Sequence, residues 1–226
     1  ADGLPELGVD VLEIVEVEIE QGERLGRALA RSNRTAEAEK SFREAIMVEP
    51  GYWQAYNSLG NFLFNLGRSD EAAAAYSRVT ELAPGNATGF NNLGAARMTS
   101  GDLDGAAKAF KQSLEIEQAS SAYSNLGTVY YAVGRMEEAA TMYKRATELS
   151  PEDYVTRGSL GDAHWFLPGG RERALQDYRR AAGLAEKALA IDATRADWPG
   201  PLVLLGHSMG GLVAARFVAE GLQPQA

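Results

Sequence analysis

The chain contains no cysteine and only two histidines, His164 and His207. Disulfides, zinc–thiolate centres and thiol chemistry are therefore excluded, and an imidazole base could come from two places at most. Basic residues are in deficit, with 22 Lys and Arg against 31 Asp and Glu for a net charge of −9. A protein that tracks a phosphate backbone needs clustered Lys and Arg, so no nucleic-acid partner is expected. A clean apolar run of membrane-spanning length is also missing. The longest, residues 201–219, is broken by His207, Ser208 and Arg216, so no membrane span is expected. No signal peptide is visible, and the chain begins at Ala1 rather than methionine, as a processed or excised chain would. The expectation is a soluble chain, cytoplasmic or periplasmic. Nothing in the sequence spells a cofactor or metal site, and neither is expected. With 45% hydrophobic and 23% charged residues, the composition is that of an ordinary folded protein, long enough for one extended domain or two small ones.

What is present is a repeat. A Leu-Gly pair recurs at Leu25-Gly26, Leu59-Gly60, Leu93-Gly94, Leu126-Gly127 and Leu160-Gly161, at spacings of 34, 34, 33 and 34. Other landmarks keep step with it. An aromatic lies three residues before the Leu at Tyr56, Phe90 and Tyr123. Seven residues after the Gly of the pair comes Gly67, Gly101 or Gly134, with Asn33 in the first unit. Then follow Ala38, Ala72, Ala106 and Ala139, and after them Phe42, Tyr76, Phe110 and Tyr143. Pro50, Pro84 and Pro151 close three units, while the third ends in Gln118.

This pattern resembles the tetratricopeptide repeat family over roughly residues 19–193, in units of about 34 residues. The resemblance implies an all-α fold, a right-handed superhelix of about five helix-turn-helix units, at 19–52, 53–86, 87–119, 120–153 and 154–193. Small Gly and Ala let two antiparallel helices approach, and the aromatics fill the space left between pairs. Gly ends the first helix in the left-handed conformation, and Pro ends the second. The fifth unit departs from the pattern. Arg157 replaces its aromatic, its turn reads Leu167-Pro168-Gly169-Gly170, and its second helix is expected to run on from 171 to 192. Residues 1–18 form an extension in which Val15 to Glu20 alternate as a strand would, yet lead directly into the first repeat helix; a helix is expected there.

In this family the first helix of each unit lines a concave groove, and the resemblance places a ligand there. The second unit offers Asn57, Asn61, Phe64 and Asn65, and the third Asn91, Asn92 and Met98. The fourth offers Ser124, Asn125, Thr128 and Tyr131, and the fifth Asp162, Trp165 and Phe166. An amide both donates and accepts, which suits a peptide main chain, while the aromatics would take side chains. The Ser-Asn-Leu-Gly of the fourth unit resembles repeats in the superhelix of the O-linked N-acetylglucosamine transferase, where such amides hold peptide. The ordered Lys and Arg with which chaperone-binding members clamp a terminal carboxylate are missing. His164 falls at a core aromatic position and is expected to be structural.

After Ala193 the composition changes. Residues 194–200 read as a linker, with Pro199 and Pro201 barring a helix. Gly206-His207-Ser208-Met209-Gly210 fits G-x-S-x-G, and residues 201–226 resemble the nucleophile elbow of α/β-hydrolase lipases and lysophospholipases. By that resemblance Ser208 would be the nucleophile and the Met209 N–H half of an oxyanion hole. The triad acid and histidine of that family follow the serine, but after Ser208 there is only Glu220 and no histidine. A serine without a base is a poor nucleophile, so no catalytic residue is expected. The tail is a truncated or fused hydrolase piece, or a helix capping the solenoid at the spacing of Leu202, Leu205 and Met209, or an apolar contact for a homo-oligomer. The expected function is a scaffold that binds a protein or peptide. A catalytically incomplete repeat-linked hydrolase and a regulatory module of a bacterial signalling protein are the alternatives.

Overall fold

The computed structural model describes residues 11–193, with side chains over 20–188. The linker at 194–200 and the tail bearing Ser208 and Met209, including the capping helix expected there, lie outside the described residues. Those described form ten helices and no strand. In order these are α1 (Val11–Arg31), α2 (Thr35–Val48), α3 (Trp53–Asn65), α4 (Ser69–Leu82) and α5 (Ala87–Ser100). They continue as α6 (Leu103–Ile116), α7 (Ser120–Ala132), α8 (Met136–Leu149), α9 (Tyr154–Trp165) and α10 (Arg171–Ala193). Val15 to Glu20, whose alternation would also suit a strand, lies within α1. The helix α10 runs for 23 residues where α8 has 14.

Each odd helix turns back onto the next through a left-handed residue. Asn33, Gly67, Gly101, Gly134 and Gly169 hold φ values of 58°, 75°, 90°, 78° and 68°. In the first four turns the amide after that residue donates to a carbonyl five residues back. The bonds run from Arg34 to Leu29, Arg68 to Leu63, Asp102 to Arg97 and Arg135 to Tyr130, at 2.8–3.0 Å. This closes the helix end with two of its last carbonyls satisfied. The fifth turn is longer. Leu167 donates to His164 at 3.0 Å and Gly170 to Leu167 at 2.9 Å.

The Leu-Gly pair explains how closely the two helices of a pair meet. A Cβ on Gly60 would lie 2.7 Å from the Tyr76 ring, and one on Gly94 2.6 Å from Phe110. Gly26 on Phe42, Gly127 on Tyr143 and Gly161 on Tyr178 repeat the arrangement at 2.7–2.8 Å. The ring of the second helix therefore rests against the bare backbone of the first. Ala38, Ala72, Ala106, Ala139 and Ala174 are fully buried beside it. The first two pairs join through one of these rings: Phe42 meets Phe62 with centroids 5.5 Å apart, and Ala45 packs on Ala55.

The chain divides into two compact units, residues 1–116 and 117–226. The first holds α1 to α6, and the division falls where the third pair ends in Glu117-Gln118-Ala119 instead of a proline turn. The second holds α7 to α10, with α9 packed against both α8 and α10.

Candidate functional site

The expected ligand residues all sit on the odd-numbered helices or at their ends. Charge is distributed unevenly between the two kinds of helix. Across α3, α5 and α7 there is one formal charge, Arg97, while α2, α4, α6 and α8 each carry at least four. Arg97 itself turns away to the α5–α6 turn, 3.4 Å from the Gly105 carbonyl and 3.8 Å from Asp102. The helices α3, α5 and α7 thus offer amides, hydroxyls and rings with almost no charge.

In the first unit Asn57 and Asn92 meet: the Asn92 amide nitrogen donates to the Asn57 carbonyl oxygen at 3.2 Å, tying α3 to α5. Also on α3, Ser58 donates to the buried Glu23 carboxylate of α1 at 3.0 Å. Asn91 and Met98 are half-buried on α5, and Asn65 is exposed at the end of α3. Phe64 packs against the core cluster around Leu63, so part of its surface is already spent on the fold. In the second unit Ser124 lies 2.9 Å from the Thr156 hydroxyl. Thr156 gives its own proton to Asp153 at 2.7 Å, so Ser124 is the donor and ties α7 to α9. Asn125 is half-buried beside it.

Three of the expected residues have a second employment that the sequence did not announce. Tyr76 donates to the Asn61 carbonyl oxygen at 2.7 Å, Tyr143 to the Thr128 hydroxyl at 3.1 Å and Tyr178 to Asp162 at 2.7 Å. Each acceptor directly follows the Gly beneath its tyrosine ring. Where the ring is Phe42 or Phe110, the matching residue is Arg27 or Ala95. The pairing of Tyr with a polar neighbour was the available signal. Burial lifts the Tyr76 hydroxyl to about 12 and pushes those of Tyr143 and Tyr178 upward as well.

The fifth pair is the polar exception. Arg157, in the slot of Tyr56 and Tyr123, reaches Asp177 at 3.6 Å, and His164 Nδ1 meets the other Asp177 oxygen at 2.8 Å. All three side chains are largely buried, so His164 serves the packing of α9 on α10. Trp165 and Phe166, by contrast, stay 38% and 60% exposed. Phe166 meets the Tyr131 ring edge-on at 6.1 Å, and the Arg171 guanidinium lies 5.4 Å from the Trp165 centroid. Among the described residues no group of His, Asp and Glu could hold a metal ion, and no helix is long and apolar enough to cross a membrane.

Two tetratricopeptide repeat profiles match the sequence, at residues 23–87 and 86–152, together more than half of its length. The chain is a tetratricopeptide repeat protein. No curated protein sequence matches it. Solved structures do. A crystal structure of MamA protein is 19% identical with a TM-score of 0.70, covering 81% of this chain and 98% of the other. YrrB, described as a TPR protein with an unusual peptide-binding site, is 18% identical at a TM-score of 0.62, covering 80% and 97%. A thermophilic TPR protein from Thermus thermophilus is 22% identical at 0.57, covering 78% and 96%. At such identities the likeness is one of fold. Tetratricopeptide repeats are protein-interaction scaffolds.

Proposed function

We propose that this tetratricopeptide repeat protein holds an extended peptide, or a helix, of a partner protein on the odd-numbered helices α3 and α5 of its first unit, with α7 and α9 offering a like surface in the second. The observation that carries the reading is the near absence of charge on α3, α5 and α7 beside an abundance of amides. A peptide main chain is neutral and needs one donor and one acceptor per residue. After the Asn92-to-Asn57 bond at 3.2 Å, the Asn57 amide nitrogen and the Asn92 carbonyl oxygen still offer a donor and an acceptor side by side. Such a pair suits the C=O and N–H of one peptide segment. In the second unit the Ser124 and Thr128 hydroxyls already bond to Thr156, the Ser124 carbonyl and Tyr143, while Met98 in the first unit and Tyr131 and Trp165 in the second supply apolar surface for side chains. YrrB, described as having an unusual peptide-binding site, lends the reading support by analogy of fold.

The test is selection of random peptides displayed on phage against the immobilised chain, followed by titration of the winners. Asn57→Ala or Asn92→Ala is expected to weaken their binding about tenfold, the equivalent of about 1.4 kcal/mol, with helicity retained. Winners that bind both variants as well as the parent would refute the assignment.

A further inference from the structure

Helices α3, α5 and α9 dock on the helix before them through the same three positions. In α3 these are Ala55, Leu59 and Phe62: Ala55 packs on Ala45 of α2, and the Phe62 ring meets that of Phe42. In α5 they are Gly89, Leu93 and Ala96, and in α9 Thr156, Leu160 and Ala163, all of them buried. The matching residues of α1 are Gln21, Leu25 and Ala28, and all three are exposed. Leu25 is 55% exposed where Leu59, Leu93 and Leu160 keep 3–5%. No described helix precedes α1 to cover them. The complementary face is open on α10. Ala45 and Ile46 of α2 pack with Ala55 of α3, and the matching Ala146 and Thr147 of α8, which packs against α9, are 1% and 3% exposed. Their counterparts on α10, Ala181 and Ala182, are only half-buried.

We infer that these two faces recognise each other, so that α10 of one copy of the chain seats α1 of a second. Charge complementarity selects this occupant. Arg43 of α2 lies 4.0 Å from Glu71 of α4, an ion pair that crosses from the first helix pair to the second. The residues at the matching places are Arg179 on α10 and Glu37 on α2, both exposed. Among the described residues Arg179 has no ion pair in its own chain, while Glu37 meets the neighbouring Arg34. Head-to-tail docking brings Arg179 of one copy to Glu37 of the next. Helix length gives the same answer. The chain's α1 has 21 residues and α10 has 23, where the helices between them have 12–14. Helix α1 is longer ahead of Ile19, which matches the Trp53 that opens α3; α10 is longer beyond Leu184, which matches the Leu149 that closes α8. Helices joined by a short turn run antiparallel, so a docking helix begins beside the end of the one it docks on. The two extensions therefore run alongside each other in this contact. It removes Leu25 and Ala28 of one copy, and Ala181 and Ala182 of the other, from water. Because it joins two different faces, each pair keeps one of each free, and association continues past two copies. The inference is independent of the peptide-binding reading.

Sedimentation velocity of the full chain tests it. The weight-average mass of the parent is expected to rise with concentration, past that of two chains. Leu25→Glu spoils the α1 face and Arg179→Glu the α10 face; both residues are exposed, so each chain keeps its own packing. Each variant alone should associate at least about tenfold more weakly than the parent. Mixed in equal amounts, the two should form pairs and go no further, since one keeps its α10 face and the other its α1 face. A parent that stays a single chain at every concentration would overturn the inference. So would assembly that survives in Leu25→Glu, or a mixture that stays unpaired. Assembly lost in Leu205→Asp but kept in Leu25→Glu would assign the contact to residues 201–226 instead.

Discussion

A ring laid on a glycine is the unit from which each helix pair is built, and its details decide what nearby side chains are free to do. In three pairs the ring carries a hydroxyl, and that hydroxyl finds a partner one residue beyond the glycine. Leaving it unpaired in the same place would cost about 1–3 kcal/mol, so the Tyr and its acceptor belong together. The arrangement has a consequence in alkali. Burial lifts the Tyr76 hydroxyl from 10.0 to about 12, so between those values the folded chain holds a proton that the unfolded chain has lost. The stabilisation is complete below pH 10 and disappears as the pH rises through about 12. Tyr76→Phe should therefore lose about 1 kcal/mol at neutral pH. Its urea midpoint should fall less steeply than that of the parent between pH 10 and 12. Parallel declines in parent and variant would show that this hydroxyl titrates as freely in the fold as outside it.

At the level of helices and turns, most of the architecture was legible in the sequence. Leu-Gly pairs, buried alanines and left-handed turn residues each answer one steric requirement of two helices meeting closely, and a steric requirement leaves a fixed letter at a fixed spacing. Gly67, Gly101 and Gly134 end their helices as the spacing implied, and Asn33 does so with φ 58°. Partnerships between polar side chains were less legible, because many residues can accept a hydroxyl. Asn61, Thr128 and Asp162 share no letter, only a place beside a tyrosine. The trio of Arg157, Asp177 and His164 was half visible, since an arginine in an aromatic slot announces a buried charge without naming its counter-ion. The turns offer a quantitative check. Nothing lies within 4 Å of a Cβ on Gly67, whose φ is 75°, so any cost there is conformational. Gly67→Ala should lower stability by about 1 kcal/mol, and Gly67→Asn by clearly less, since Asn33 adopts the same conformation. Urea unfolding of both variants checks this, and equal losses would contradict a turn governed by φ.

For the molecule as a whole, charge is the organising variable. In this chain of net charge −9, charged side chains are concentrated on α1 and the even helices, and arginine and glutamate pair locally. Arg34 meets Glu37, Arg68 bridges Glu39 and Glu71, and Arg135 meets Glu138. Hydrogen bonds from Arg68 and Arg43 hold the Glu39 carboxyl below its ordinary range. The helices α3, α5 and α7 are left nearly neutral, and a partner held there by main-chain hydrogen bonds and apolar contacts should be little affected by salt. Hydrogen–deuterium exchange of the full chain, with and without a phage-selected peptide, tests this central claim most directly. The account predicts that added protection falls on α3, α5, α7 and α9 and persists at high salt. Protection confined to α2, α4, α6 and α8, or to residues 201–226, would contradict it.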